Sequence, residues 1–274
     1  MVDQRLSLSD YMLDRLAGGQ IVFSQRDALD ALGVSPGAFL QAAARQQRRR
    51  ALLNPRQGFY VVVPPQYLSW GAPPPAWYID DLMRQEERPY YVGLLKAAEL
   101  HGATHQAVME FQVITDKRLP KIRAGRSIIS FFYRKDMASV AHAIVDHKTD
   151  TGRMRISSPE LTALDLLRYA HNVGSIDAVA TVLADLGDKI DSEKLVALAP
   201  VFERSVIQRL GYLLDRVGHA EQATGLHGSL SQFKPLPWVE LEPGRRGDAQ
   251  TSSPPLEKNS RWHVFVRHLP EIDE

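Results

Sequence analysis

The strongest constraint on the fold is a short interruption, Gly33-Val34-Ser35-Pro36, between two stretches of helical periodicity. Before it, Ala28, Leu29, Ala31 and Leu32 recur at the spacing that places side chains on one face of a helix. Ser24 stands where an N-cap is needed, and Asp27 follows three residues on, an acidic form of the capping box. Gly33 supplies the stop. Ser35 caps the next helix, and Pro36 takes its first position, where a missing N–H leaves no bond unmade. That helix runs through Phe39, Leu40, Ala43 and Ala44 to about Arg49. Upstream, Tyr11, Leu13, Leu16 and Ala17 predict a first helix after Ser7, closed by Gly18-Gly19, and Ile21-Val22-Phe23 is a short extended entry. Downstream, Leu52-Leu53 returns to the core, and Asn54-Pro55-Arg56-Gln57-Gly58 reads as a turn. Phe59 to Val63 reads as a strand stopped by Pro64-Pro65. Three helices followed by a hairpin with a basic tip is the order of a winged helix-turn-helix.

Charge singles out the same segment. The chain as a whole is balanced, with 33 Lys and Arg against 32 Asp and Glu. Yet from Ala31 to Trp70 there are five arginines and no acid. Surfaces ordinarily mix both signs, so a stretch of one sign marks a site for a polyanion. Projecting the third helix at 100° per residue puts Phe39, Leu40 and Ala43 on the inner side. Gly37, Ala38, Gln41, Arg45 and Arg48 fall on the outer side, with Arg49 at its edge. Small residues permit close approach to a groove, glutamine suits adenine, and arginine suits guanine or phosphate. Arg56, at the tip of the hairpin, is expected to reach phosphates or the minor groove. The candidate DNA-binding set is therefore Ser24, Gln25, Ser35, Gly37, Gln41, Arg45, Arg48, Arg49, Arg56 and Gln57.

The expected class is α+β: a winged helix-turn-helix over 1–70, then a larger mixed α+β domain over 71–274. Ala72-Pro73-Pro74-Pro75 predicts an extended, semi-rigid spacer flanked by Trp70, Trp77 and Tyr78. Helices are expected over 78–86 and 93–101, closed by Gly102, and strands over 109–115, 127–133 and 153–157. Ser158-Pro159 opens a further helix in which Leu164 and Leu167 are core and Asp165 is solvated or salt-bridged. More helices follow at about 175–186, 191–199 and 200–217. Residues 218–232 and 243–260 read as loops, the second expected to be mobile. Strands 238–242 and 261–267 bracket that loop.

No constellation for chemistry stands out, and the sequence predicts no enzyme, no cofactor and no metal. Without cysteine there is no disulfide framework, thiolate site or Cys nucleophile. Neither a P-loop nor a dinucleotide fingerprint, a G-x-S-x-G elbow nor H-E-x-x-H is present. His101 and His105 have a ligand spacing, but Gly102 breaks the helix between them. His142 and His147 carry no stronger signal. Glu110, Asp116 and Lys117 are faintly nuclease-like, without the spacing a divalent-ion site requires. Arg246-Gly247-Asp248 is read as a chance tripeptide. The N-terminus, with Asp3, Asp10 and Asp14, is no signal peptide, and no apolar run is long enough for a membrane span. A cytoplasmic protein is expected.

The winged helix-turn-helix ending in Gly58-Phe59-Tyr60-Val61-Val62, the proline-containing link and Tyr90-Tyr-Val-Gly-Leu-Leu-Lys-Ala-Ala-Glu-Leu-His-Gly102 together resemble the AbiEi antitoxins of type IV toxin–antitoxin systems. Phe111 to Thr115 and Ile156 to Leu167 are similar to later parts of that pattern. The resemblance reaches about residue 217 and weakens in the extension 218–274. It implies an N-terminal domain that binds inverted repeats in its own promoter and represses the operon, and a C-terminal domain that contributes to antitoxicity. It also implies a functional partner, a nucleotidyltransferase-like toxin, acting without a stable complex, and it brings no catalytic residues. The expected ligand is double-stranded promoter DNA, met by a chain that is a monomer in solution and pairs on DNA. Two other readings are a one-component regulator with a ligand-sensing C-terminal domain and a DNA-targeted nuclease using Glu110 or Asp116.

Overall fold

A computed structural model describes residues 6–104, 108–231, 233, 235–242 and 254–272, and its α+β class is the one expected. The described residues divide into two units. The first contains residues up to Tyr91 together with Met109–Lys135 and Asp146–Arg155. The second contains Val92–Val108, Asp136–Val145 and the chain from Ile156 onward.

Helices α1 (Leu8–Ala17), α2 (Gln25–Leu32) and α3 (Pro36–Arg48) and strands β1 (Val22–Ser24), β2 (Leu52–Arg56) and β3 (Phe59–Val62) form the N-terminal part of the first unit. Each helix starts on a serine. The Oγ atoms of Ser7, Ser24 and Ser35 accept from the N–H of Asp10, Asp27 and Ala38 at 3.2, 3.0 and 3.3 Å. Asp10 and Asp27 return the contact to the backbone N–H of Ser7 and Ser24, which closes two capping boxes. The strands pair in the order β1-β3-β2, both pairs antiparallel. Over this sheet the helices bury Leu8, Tyr11, Met12, Phe23, Ala28, Leu32, Phe39 and Ala43 against Leu52, Tyr60 and Val62. Three ring contacts order this core: Tyr11 on Phe23 edge-on, Phe23 stacked on Tyr60, and Phe39 edge-on to Tyr60, all at 5.2–5.5 Å.

Three expectations for this part are corrected. Leu13 and Leu40, read as inward, are 62% and 50% exposed, because helices of 10 and 13 residues on a three-stranded sheet cover only a narrow apolar stripe. The turn after Leu53 is shorter than predicted. β2 continues through Asn54 and Pro55 to Arg56 by a shift in register, so only Gln57 and Gly58 (φ 75°) make the tip. The unit does not end at residue 70 either, because the proline link is packed rather than a spacer. It forms short 3-10 turns at Pro65–Tyr67 and Pro75–Trp77. Tyr67 sits edge-on to Trp77, whose indole N–H donates to Asp150 at 2.9 Å and whose carbonyl accepts from Thr151. Tyr78 is buried, while Trp70 is 56% exposed.

Beyond the link come α4 (Ile79–Gln85), β4 (Tyr90–Val92) and, in the second unit, α5 (Leu94–Leu100). Strands β5 (Glu110–Thr115), β6 (Ile122–Ala124), β7 (Ser127–Tyr133), β8 (Ile144–Thr149) and β9 (Gly152–Ser157) follow. With β4 they make a six-stranded sheet in the order β6-β7-β5-β4-β9-β8. The sequence reading missed β4, β6 and β8, which are short or carry polar residues too often for an apolar pattern. β5 and β7 run parallel, and β6 is the antiparallel edge beside β7. The β6–β7 turn is closed by Gly125 (φ 58°), where a Cβ would fall 2.3 Å from the Trp70 carbonyl oxygen, so glycine is required.

The second unit is mainly helical: α6 (Pro159–Arg168), α7 (Ala170–Val173), α8 (Ile176–Leu186), α9 (Ser192–Leu198), α10 (Arg204–Arg216) and α11 (Ala220–Ser231). Helix α6 is central, buried from Glu160 to Leu167. Asp165 is accordingly buried and not solvated. Residues 218–232, expected as loop, hold α11. Gly225 serves close packing instead of breaking the helix, since a Cβ there would meet the Val196 Cγ2 at 2.5 Å, whereas Gly228 has open space around it. Strands β10 (Val239–Glu240), β11 (Glu257–Asn259) and β12 (Val264–Val266) form a small sheet in the order β10-β12-β11. β11 lies inside the span expected to be a mobile loop, of which 243–253, including Arg246-Gly247-Asp248, is outside the described residues. Trp262 is fully buried over Gly211, its indole N–H donating to Asp215 at 2.6 Å.

Candidate nucleic-acid interface

Helix α3 presents the face that the projection assigns to it. Phe39 and Ala43 are buried, whereas Gly37, Ala38, Gln41, Arg45, Arg48 and Arg49 are all exposed. Ser35, exposed, caps the helix, and Pro36 at its first position frees the N-terminal turn from one orphan donor. A Cβ added at Gly37 would meet nothing within 4 Å, so the protein itself does not demand glycine there. Arg48 Nε donates to the Ala44 carbonyl at 3.4 Å along the helix, and among the described residues no carboxylate is paired with Arg45, Arg48 or Arg49. Arginines in the last turn also complement the helix dipole. The result is a convex rod with small groups at one end, an amide at the middle and guanidiniums at the other.

Around it, Ser24 and Gln25 hold the start of α2. The Gln25 N–H donates to the Gly58 carbonyl at 2.9 Å, tying that helix to the hairpin turn. Gln57 is exposed, and its carbonyl accepts from the Gln85 side chain at 3.2 Å.

Arg56 is placed otherwise than expected. Its side chain is only 20% exposed and turns back into its own unit. Nε donates to Glu86 Oε1 at 3.2 Å, Nη2 donates to the Pro120 carbonyl at 2.7 Å, and the guanidinium lies 5.6 Å over the Phe131 ring. Two of its five N–H donors are engaged and the side chain is four-fifths covered, so little of this guanidinium is open to a phosphate. Reading the hairpin as an isolated basic tip missed Glu86, which stands thirty residues away in sequence. The available signal was that 78–86 carries three acids, Asp80, Asp81 and Glu86, soon after the acid-free stretch.

Glu110, Asp116 and His101, weighed above for chemistry, each have a partner within the protein. Glu110 accepts from the Ser130 hydroxyl at 2.6 Å and from Lys121 at 2.9 Å, and these bonds hold its carboxyl below the usual range. Asp116 faces Arg88 at 3.8 Å. His101 makes a 2.7 Å ring contact with the Ser157 carbonyl, a packing role, while His105 lies outside the described residues. Among the described residues no three His, Cys, Asp or Glu side chains gather as metal ligands, and no helix is long and apolar enough to cross a membrane.

The fold and its exposed face define a class: an N-terminal three-helix and winged-sheet module followed by an α+β region. Residues 91–216 match the family model of the AbiEi antitoxin C-terminal domain. The fold is shared with the crystal structure of the RV2827C protein from Mycobacterium tuberculosis, at 15% identity and a TM-score of 0.69 over 94% of this chain and 90% of that one. No curated protein matches the chain.

Proposed function

We propose that this protein is a DNA-binding antitoxin of a type IV toxin–antitoxin system that represses its own promoter. The antitoxin part of this reading is supported by the AbiEi domain over residues 91–216. The DNA-binding part is carried by one observation: the outer face of α3 is exposed, bears Gln41, Arg45, Arg48 and Arg49, and belongs to a stretch without a single acid. In this reading α3 enters the major groove with Gly37 and Ala38 closest to the duplex. Gln41 and Arg45 face base edges, Arg48 and Arg49 meet phosphates, and Ser35 and Gln57 lie at the margin. Ser24 and Gln25 position the first helix of the motif. Two chains, each a monomer in solution, occupy two half-sites on the operator. The partner is a nucleotidyltransferase-like toxin that is neutralised without a stable complex.

The test is binding of the full chain to DNA from upstream of its own gene, followed by fluorescence anisotropy. Wild type is expected to prefer that fragment over an unrelated duplex. Arg45→Ala is expected to cost about 1–3 kcal/mol and to relax preference at one base position. Equal affinity of wild type and Arg45→Ala for both duplexes refutes the reading.

A further inference from the structure

Helix α3 carries two large apolar side chains, and the core takes only one of them. Phe39 is fully covered, whereas Leu40 is 50% exposed. Leu40 stands on the arc of α3 that faces solvent. Gly37, Gln41, Ala44 and Arg48 are all exposed, and at 100° per residue they span roughly 60°, the middle of that arc. Leu40 lies roughly 70° to one side of this middle and Arg45 roughly 70° to the other. The exposed face is thus broader than periodicity predicts, with an apolar shoulder opposite its arginine shoulder.

Position along the helix matters as much as position around it. Gly37 and Ala38 have almost no side chain, so Leu40 and Gln41 are the first groups of any length on the arc counted from the N-terminus. Recognition helices contact base edges from that end. No acid occurs between Ala31 and Trp70, so Leu40 sits on a surface whose charges are all positive. A polyanion is what such a surface attracts. In the major groove, base pairs present hydrogen-bond donors and acceptors and one methyl, the C5 methyl of thymine. A leucine side chain makes no hydrogen bond, so that methyl is the base-edge group it matches.

We propose that Leu40 is a specificity-determining residue: its side chain packs on the C5 methyl of one thymine in each half-site, beside the base edge that Gln41 faces. The proposal rests on α3 being the base-reading helix. Thymine is favoured over an apolar patch on another protein because Leu40 is the single large apolar side chain exposed on this helix. One leucine among arginines is far smaller than a protein-docking patch and is matched by one methyl.

The experiment measures by fluorescence anisotropy the affinity of the full chain for the upstream fragment in two forms, with thymine and with uracil throughout. The two forms differ only in the C5 methyl. Wild type is expected to bind the uracil form roughly fourfold more weakly per half-site, the worth of one methyl-sized group removed from water. Leu40→Ala is expected to bind the thymine form more weakly than wild type does and to bind the two forms alike. Alanine is the better helix former, so this variant is expected to match or exceed the wild-type midpoint in urea. Leu40→Met, which keeps an apolar side chain of similar length, is expected to retain the preference for thymine. Uracil placed at one thymine at a time is expected to weaken wild type at one position in each half-site.

Equal affinity of wild type for both forms, while Arg45→Ala still weakens binding, overturns the assignment of Leu40 and leaves the reading of α3 intact. Equal discrimination by wild type and Leu40→Ala also overturns it, since the methyl is then read by another group or through the shape of the duplex. Failure of wild type to prefer the upstream fragment over an unrelated duplex overturns both readings.

Discussion

Truncating Arg56 distinguishes a buried anchor from a DNA contact. In Arg56→Ala the protein loses a 3.2 Å bond to Glu86, a 2.7 Å bond to the Pro120 carbonyl and the cover over Phe131. Hydrogen bonds to a charged group contribute about 1.5–3 kcal/mol when buried, and exposed ion pairs about 0.2–1. With side chains 20% and 18% exposed, this pair lies between those limits, and a loss of about 2 kcal/mol follows. In a protein of this size that corresponds to a fall in Tm of roughly 4–8 °C. The companion substitution Glu86→Gln removes the charge pair but leaves the guanidinium, so it is expected to lower Tm by less and to leave DNA binding at wild-type strength or above. Differential scanning calorimetry gives the first quantity, and anisotropy titrations at several salt concentrations give the second. The reasoning is refuted if Arg56→Ala keeps its Tm while its salt slope becomes shallower by about 1, the signature of a lost phosphate contact.

Other perturbations bear on different parts of the argument. Gly37→Ala has open space around the new methyl and is expected to raise stability by about 0.5–1 kcal/mol in urea unfolding, since glycine is a poor helix former. The same variant is expected to bind the upstream duplex less tightly, and unchanged affinity would mean that this turn does not approach DNA. Gly125→Ala places a methyl 2.3 Å from a backbone oxygen at a φ of 58°, and a loss of at least about 2 kcal/mol is expected in urea unfolding, against which a wild-type midpoint would count. Glu110 is held below its ordinary pKa, first by the Ser130 hydroxyl and then by Lys121. Its contribution is therefore full above the unfolded-state value and fades as pH falls through the folded one. Glu110→Gln is accordingly expected to be less stable than wild type at neutral pH and to converge with it in acid; a gap that persists in acid contradicts the assignment.

The legible parts of this fold are those whose cause is local. Ser24 and Ser35 mark helix starts because a cap needs only the next three residues, and both caps form at the predicted positions, with Ser7 capping the first helix in the same way. The outer face of α3 follows from periodicity alone, since exposure requires that nothing be placed against it. Leu13 and Leu40 show the limit of that argument: periodicity orders residues around a helix but does not say how wide the covered stripe is. Gly225 of α11 shows another, for the same residue type that breaks an isolated helix permits two helices to approach, and only the position of Val196 decides between them.

Arg56 shows the most consequential limit. Counting charges in a window treats a cation as available, yet availability depends on partners that the fold brings from Glu86 and Pro120. The same window, drawn over 31–70, passed over Lys117, Arg118, Lys121 and Arg123, which lie outside it in sequence and beside its hairpin in space. Local charge in a sequence is therefore best read as two questions: which cations share a surface, and which of them a carboxylate has already taken. For α3 the sequence answers the first by helical spacing. For the hairpin both answers are tertiary, so the arginine that looked most available is held by a carboxylate thirty residues and a carbonyl sixty-four residues further along the chain.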